Sequence, residues 1–287
     1  MTGFRNVAEL VNAEINGGYQ YSTILKTYLG TSAGAAFNDH QVMGNFPRAY
    51  FYTGTELEFT PMPATNHTQI FHGGNVSPAT KYLKSAALHY AAGATLTPSV
   101  NILCDYLGFY PLVSMETTDI QFVDNSQFSL PRYSDGKGVK AFLVQVLGTN
   151  SANRFSFTYE NQGGVVKTSQ MQQGNSLSTG VLQGGTEYTP TSYKPFLDLA
   201  PGDTGIRRVI SFTCTTVGSG LCALVLCKPL CTFIYNDASR VTPMENLVFE
   251  NMQKLPQIQD GAYLQMISST SGTPSGLISG AFEFVWG

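Results

Sequence analysis

Charged side chains are scarce in this sequence. Asp, Glu, Lys and Arg make up 12% of the 287 residues, about half of the roughly 25% that is usual in soluble domains. The net charge is −3 and no Lys/Arg run occurs, so we expect no nucleic-acid partner. A surface with few ions avoids most of the cost of burying charge against another protein. The low charge therefore favours a subunit buried in an assembly, and we expect a homo-oligomer.

Long apolar runs and export signals are also missing. No segment reaches the roughly 18 consecutive apolar residues of a membrane span, so we expect no membrane contact. The segment Met1–Leu10 contains Arg5 and Glu9 and lacks the apolar core of a signal peptide. The odd number of cysteines predicts reduced thiols in a cytosolic environment. They are Cys104, Cys214, Cys222, Cys227 and Cys231.

Catalytic and metal-binding patterns are weak. The segment 30–34 reads G-T-S-A-G and matches a nucleophile elbow, but a predicted helix precedes it where that motif needs a strand. Glu56 and Glu58 would project from one face of a strand, whereas a glycosidase needs two acids facing each other across the sugar. Cys222 and Cys227 would lie on opposite faces of a strand, and no zinc-like spacing exists. We predict no enzyme activity, cofactor or metal; a glycan hydrolase using Glu56 or Glu58 is the enzyme alternative.

Helical spacing of apolar residues predicts two short amphipathic helices in the first segment, residues 1–45. Gly17 and Gly18 separate them, and Gly30 ends the second. Such short helices are not stable alone and must dock on this domain or on a neighbour. From their apolar faces we predict an interface with partner subunits. Its residues are Phe4, Val7, Leu10, Val11, Tyr21, Ile24 and Tyr28.

The second predicted segment, residues 46–116, mixes strands and helices and is expected to pack on the core. Strands are predicted at Arg48–Thr53 and Thr55–Phe59. Ser77-Pro78 and Thr97-Pro98 resemble helix starts, because each provides an N-cap residue followed by a first-turn proline. The predicted buried stripes of these two helices run from Tyr82 to Tyr90 and from Val100 to Leu107.

The third predicted segment, residues 117–287, has the twofold period of β-strands. Phe155, Phe157 and Tyr159 alternate with polar residues, and two nearly continuous apolar runs predict central strands. Gln170–Thr189 is polar and nearly uncharged, and is either an exposed loop or an arm reaching a neighbour. The fold class predicted is mainly β, a jelly-roll-like β-sandwich with short N-terminal helices and extended arms. The remaining predicted strands are Val139–Leu147, Arg207–Thr213, Leu221–Cys227, Thr232–Tyr235, Tyr263–Ile267 and Phe282–Trp286.

Several turn and strand motifs carry a resemblance to a known group of proteins. They are Leu130–Val139 (LPRYSDGKGV), Phe157–Gly164 (FTYENQGG), Leu221–Leu230 (LCALVLCKPL), Asp260–Leu264 (DGAYL) and Phe284–Gly287 (FVWG). Together they resemble virion structural proteins of tailed bacteriophages, over roughly Cys104 to the C-terminus. The resemblance implies a virion component assembled in the cytoplasm of the bacterial host. It implies no active-site residue.

Among virion roles, we favour a capsid decoration or cement protein. Its expected partners are the major capsid protein and further copies of itself. The alternative is a tail, spike or head-fibre component that binds host glycan through exposed aromatic side chains. A major capsid protein is less favoured, because the helical patterns are too short for the long spine helix of the common tailed-phage capsid fold.

Overall fold

The computed structural model describes residues 4–29, 37–39, 52–63, 69–92, 99–147, 153–173, 182–183, 195–235, 244–245, 255–270 and 275–287. These residues form one α-helix, α1 (Val7–Ile15), and antiparallel strands of very different lengths. The strands are β1 (Tyr19–Leu29), β2 (Phe37–Asp39), β3 (Thr60–Pro61), β4 (Lys81–Ala92), β5 (Ser99–Ser114), β6 (Gln121–Phe122), β7 (Lys140–Leu147), β8 (Arg154–Asn161), β9 (Val166–Thr168), β10 (Gln172–Gln173), β11 (Leu182–Gln183), β12 (Ile206–Thr216), β13 (Leu221–Tyr235), β14 (Met244–Glu245), β15 (Gln257–Ile258), β16 (Leu264–Thr270) and β17 (Ser275–Trp286).

The strands pair into three sheets. The central sheet has the order β11-β7-β13-β5-β16-β2, with β3 also paired to β5. The terminal sheet has the order β1-β17-β4-β14, with β15 also paired to β4. The flanking sheet has the order β10-β8-β12-β6, with β9 also paired to β8. The terminal sheet thus combines strands from all three predicted segments, 1–45, 46–116 and 117–287.

Three apolar cores hold these sheets together. The first core joins the flanking sheet, through Phe155 and Phe212, to Leu224 of the central sheet. The second core joins the terminal sheet to the central sheet, for example through Phe282 and Leu103. The third core lies on the other side of β5 and β13, and contains Cys104, Phe142 and Val225. The chain is therefore mainly β, and its packed antiparallel sheets are compatible with the predicted β-sandwich.

The predicted strands of the last segment are confirmed. Phe155, Phe157 and Tyr159 point into the interior from β8, and the polar residues between them face outward. The apolar runs 139–147 and 221–227 become β7 and the first half of β13. Leu221–Cys227 and Thr232–Tyr235, predicted separately, form one long strand. The pairing with β5 shifts register between Pro229 and Cys231, which lets the strand continue past the proline.

The second predicted N-terminal helix is wrong, because residues 19–29 form β1. This strand pairs with β17 in eleven consecutive residue pairs, from Tyr19 with Val285 to Leu29 with Ser275. Ser22 and Ile24 are buried, whereas Tyr21, Thr23 and Leu25 are exposed. The helical spacing of Tyr21, Ile24 and Leu25 was therefore misleading. Pairing with a distant strand outweighs a weak local preference.

Both helices predicted in the second segment are also wrong. The run from Tyr82 to Tyr90 lies in β4, which pairs with β17. The run from Val100 to Leu107 lies in β5, where residues 101–111 are all buried. A segment buried on both faces shows no polar alternation, so its apolar residues also fit a helical spacing.

Three other predicted stretches either form a different structure or lie partly outside the described residues. Thr55–Phe59 was predicted as a strand but forms a turn, in which the Glu58 N–H donates to the Thr55 carbonyl at 3.1 Å. Leu57 has a positive φ of 56° there. Of Arg48–Thr53, residues 48–51 lie outside the described residues. Of the possible arm Gln170–Thr189, only 170–173 and 182–183 are described, and they include β10 and β11.

Gly108 allows β3 to approach β5 closely. A methyl group at this position would lie 2.3 Å from the Phe59 ring and 2.8 Å from the Thr60 carbonyl oxygen. Because the second neighbour is backbone, we expect Gly108→Ala to lower the free energy of unfolding by about 1–3 kcal/mol, the usual cost of overpacking. Urea unfolding measures this. The control is Gly163→Ala, whose added methyl has its nearest neighbour, Asn161 Oδ1, at 3.3 Å; equal losses in both variants would contradict the prediction.

Candidate interface at the N-terminal surface

Helix α1 begins at a well-formed cap. The Asn6 side chain accepts a hydrogen bond from the Glu9 N–H at 3.0 Å, and Glu9 accepts one from the Arg5 N–H at 2.7 Å. These contacts satisfy amide groups that lack a partner in the first turn. Gly17, with a φ of 81°, ends the helix and turns the chain into β1. The first predicted helix is therefore confirmed.

One side of α1 packs on the terminal sheet. Leu10 is buried, and the Phe4 ring lies 5.8 Å from the Tyr82 ring. Lys84 is 2.6 Å from Glu14 of the helix and 3.3 Å from Glu283 of β17. Burial lowers the pKa of Lys84, but the two carboxylates outweigh this effect and the net change is upward. The three charges therefore hold the helix on the sheet.

The opposite side of α1 is apolar and exposed. Val7, Val11 and Ile15 follow each other at intervals of four residues, so they share one face of the helix. Their exposed fractions are 55%, 45% and 75%. Helices normally turn such a stripe towards a core. Here the helix is anchored by Leu10, and its β-branched stripe is left facing solvent.

Strand β1 presents a second exposed apolar row. Tyr19, Tyr21 and Leu25 alternate with inward-facing residues and are 56%, 52% and 55% exposed. We define the N-terminal apolar surface as the helix stripe together with this row. Its residues are Val7, Val11, Ile15, Tyr19, Tyr21 and Leu25.

A cleft of 280 Å³ lies where the helix meets the sheet. Its lining combines two tyrosine rings with two carboxylates and a lysine. The ammonium group of Lys84 already lies between the carboxylates of Glu14 and Glu283, so the three groups together carry a net formal charge of −1. The residues of the lining are Glu14, Tyr19, Tyr21, Lys84, Glu283 and Phe284.

The seven residues predicted from sequence as an interface are divided by the structure. Val7, Val11 and Tyr21 lie on the N-terminal apolar surface, and Phe4 is half-buried beside it. Leu10 and Ile24 face the interior of the protein, which corrects their assignment to a partner. Tyr28 belongs to β1, but its side chain lies outside the described residues. Three residues of this surface, Ile15, Tyr19 and Leu25, were not predicted from sequence. The last two would have been found if residues 19–25 had been interpreted as a strand, whose side chains alternate between two faces.

A buried ion pair joins Asp105 of β5, in the central sheet, to Arg132, which precedes β7. Arg132 Nε donates to Asp105 Oδ2 at 2.8 Å, and Arg132 Nη2 donates to Asp105 Oδ1 at 2.7 Å. The Tyr263 N–H donates to the same carboxylate at 2.9 Å. Asp105 has no exposed area, and burial raises its pKa even though Arg132 and Tyr263 oppose the change. With every contact made inside the protein, this pair serves the fold.

A second buried polar group lies under the C-terminal strand. Lys81 Nζ donates to His72 Nδ1 at 3.0 Å and to the Gly74 carbonyl, and lies 5.3 Å from the centre of the Trp286 ring. His72 Nε2 donates to the Ala262 carbonyl at 3.1 Å. Burial lowers the pKa of Lys81 to about 8. Burial and the Lys81 charge lower the pKa of His72 to about 4. His72 is therefore neutral at neutral pH, with its proton on Nε2.

The five cysteines form no disulfide bond in the described residues, which include all of them, and four of the five are buried. Cys222 belongs to the first core and Cys227 to the third, which confirms that they lie on opposite faces of β13. Burial raises the pKa of Cys214 to about 11 and raises that of Cys222 further. These two thiols are therefore protonated and unreactive at neutral pH.

The catalytic patterns considered in the sequence lie on a turn or outside the described residues. Glu56 and Glu58 lie on a turn, and residues 30–34 with the G-T-S-A-G motif are outside the described residues. In the part of the chain that the structure describes, no three His, Cys, Asp or Glu side chains come together as a metal site. In the same part, no helix has the length and apolar character needed to cross a bilayer.

No family model, no curated protein and no solved structure matches this chain.

Proposed function

We propose that this chain is a structural protein of a bacteriophage virion, and that it decorates and stabilises the capsid shell. The low charge, the buried thiols and the resemblance of Leu130–Val139 and the related motifs to phage virion proteins support this proposal. Its partners are the major capsid protein and other copies of the same chain.

The observation that carries the proposal is the exposed stripe of α1. Val7, Val11 and Ile15 are held in a fixed direction, because Leu10 and the Glu14–Lys84 ion pair anchor the helix beneath them. A rigid apolar stripe loses little conformational freedom on docking, which favours affinity. Because these side chains are already partly buried, covering the exposed part of each contributes about 1–2 kcal/mol. Repetition over a symmetric shell converts these modest contacts into strong overall attachment.

The test is attachment to assembled shells. We expect the tagged chain, co-expressed with the major capsid protein of the same phage, to co-sediment with shells in a sucrose gradient. Val7→Gln/Val11→Gln/Ile15→Gln should reduce the bound fraction at least about tenfold, because it removes the apolar stripe and several kcal/mol of contact energy. Glutamine is a better helix former than valine or isoleucine, so α1 should stay folded.

The matched control is Ile120→Gln/Val165→Gln/Val166→Gln. These residues are also one isoleucine and two valines, with exposed fractions of 56%, 51% and 56%, and they lie in or directly before β6 and β9 of the flanking sheet. We expect the control to bind shells like the wild type. Equal binding by both triple variants would refute the helix stripe as the contact, and a wild-type chain that never sediments with shells would refute the decoration role.

The cleft beside Tyr19 and Tyr21 favours one second candidate, a tail or spike component that binds host glycan. Exposed tyrosine rings stack on sugars, and the adjacent carboxylates of Glu14 and Glu283 can accept hydrogen bonds from sugar hydroxyls. This alternative requires binding by an isolated subunit. Titration with host surface glycans, comparing the wild type with Tyr19→Ala/Tyr21→Ala, distinguishes it from shell attachment.

A further inference from the structure

The free edge of β1 differs from every other sheet edge in the described residues. The flanking sheet ends at β10 and β6, the central sheet at β11 and β2, and the terminal sheet at β14 on its far side. These five edge strands have only two or three residues each. Very short edge strands are a common protection against pairing with other chains. β1, at the near side of the terminal sheet, has eleven residues.

The backbone of β1 offers a regular row of hydrogen-bonding groups at this edge. The Trp286 N–H donates to the Gly18 carbonyl at 2.9 Å, so even-numbered residues of the strand face β17. The N–H and C=O groups of Tyr19, Tyr21, Thr23 and Leu25 therefore point away from β17. In agreement, the Tyr21 carbonyl accepts a hydrogen bond from the Gln20 side chain at 2.6 Å.

This edge has little of the usual protection against pairing. The pairing of β1 with β17 has no register shift, the strand contains no proline, and Lys26 is its one charged residue. Tyr19, Tyr21 and Leu25 beside the edge are all more than half exposed. A long, regular, apolar edge of this kind favours pairing with another strand.

We infer that β1 pairs edge to edge, antiparallel, with β1 of a second copy of this chain. Antiparallel pairing is self-complementary, since each donor meets an acceptor across a twofold axis. An axis through Thr23 sets Tyr21 of one copy opposite Leu25 of the other, an aromatic–aliphatic pair that stabilises sheets. The same axis keeps the two Lys26 residues apart. The inference rests on the proposed contact between copies of this chain and deepens it by locating that contact on the edge of β1, and its test uses no shell protein.

The test is the mass of the purified chain in solution. Sedimentation equilibrium from about 1 to 100 μM, a range that brackets modest interface affinities, should show a species of twice the 31.1 kDa chain mass. Thr23→Pro removes an edge-facing N–H without touching the ladder to β17, as proline allows on an edge strand. Two hydrogen bonds are lost per dimer at about 1 kcal/mol each, so we expect the dissociation constant of the dimer to rise about 30-fold. Thr23→Val keeps the N–H and should dimerise like the wild type.

Hydrogen exchange identifies the contact itself. In the dimer the amides of Tyr21, Thr23 and Leu25 should be protected, and in Thr23→Pro those of Tyr21 and Leu25 should exchange fast. The amides of Ser22 and Ile24, which face β17, should stay protected in both. If Thr23→Pro fails to fold, Thr23→Lys replaces it, because two like charges would then lie opposite each other at the axis.

Several outcomes would overturn the inference. A wild-type monomer throughout the concentration range would do so, and so would a Thr23→Pro dimer with unchanged affinity. The variant Val7→Gln/Val11→Gln/Ile15→Gln should still dimerise; dimers lost in that variant but kept in Thr23→Pro would place the contact on α1. A dimer that ignores capsid shells would leave this inference standing and refute the proposed function.

Discussion

Replacing Arg132 by methionine should lower the free energy of unfolding by about 3–5 kcal/mol. The substitution removes the partner of Asp105, which has no exposed area and receives two hydrogen bonds from the guanidinium. The Tyr263 N–H would remain as a donor at 2.9 Å, but one neutral hydrogen bond does not compensate a buried carboxylate. Urea unfolding at neutral pH measures the loss.

Arg208→Met is the matched control, because it breaks an arginine–carboxylate pair at the surface. Arg208 Nε lies 2.8 Å from Glu160, and the arginine side chain is 48% exposed. Exposed pairs contribute at most about 1 kcal/mol. The double variant Asp105→Asn/Arg132→Met should recover much of the stability, since it leaves no buried charge. Equal losses in Arg132→Met and Arg208→Met would contradict the argument.

The penalty in Arg132→Met should also depend on pH. Burial raises the pKa of Asp105 even in the wild type, and without Arg132 the pKa should rise further. For a carboxyl whose folded-state pKa is raised, the folded form holds a proton that the unfolded form releases, so stability falls as the pH rises. We therefore expect the penalty to be smaller at about pH 5 than at about pH 8. A penalty that is larger in acid would refute this sign.

In acid the wild-type protein should lose about 3 kcal/mol of stability through His72 alone. Burial and the Lys81 charge lower the pKa of His72 from 6.5 to about 4 in the folded protein. Arg132 acts in the same direction as Lys81, while Asp260 opposes it. Between pH 6.5 and about 4, His72 binds a proton in the unfolded chain but not in the folded protein. The contribution of neutral His72 to the free energy of unfolding is therefore complete above pH 6.5 and is lost as the pH falls to about 4.

His72→Gln tests this prediction, because glutamine can replace the histidine as donor and acceptor but does not titrate. We expect the unfolding free energy of this variant to change less between pH 6.5 and about 4 than that of the wild type. Lys81→Met should also flatten the dependence, since it removes a charge that lowers the histidine pKa. Equal slopes for wild type and His72→Gln would show that other groups cause the acid loss.

The β-rich half of the fold could be predicted from local pattern. Phe155, Phe157 and Tyr159 alternate with polar residues because one face of β8 is buried and the other faces solvent. The run Leu221–Cys227 is apolar because β13 is buried on both faces. The first helix was also predictable, since its stripe and its terminal glycines are local signals.

The candidate interface could be predicted only in part. Val7 and Val11 were found because they lie on an amphipathic helix, but the pattern does not tell which apolar residues face the domain itself. Leu10 turned out to be the anchor, and Ile24 belongs to the second core. Asp105 and Arg132, twenty-seven positions apart, gave no signal in the sequence.

By itself the sequence determined a low-charge, mainly β chain with a short N-terminal helix, because charge content and short-range periodicity are local properties. The tertiary structure alone decided that residues 19–29, 81–92 and 99–114 are strands. Their partners in β17 and β13 lie far along the chain, and each segment alone fits a helical spacing equally well. Only when Tyr19 meets Val285 does one side of β1 become buried, one side exposed, and one edge free.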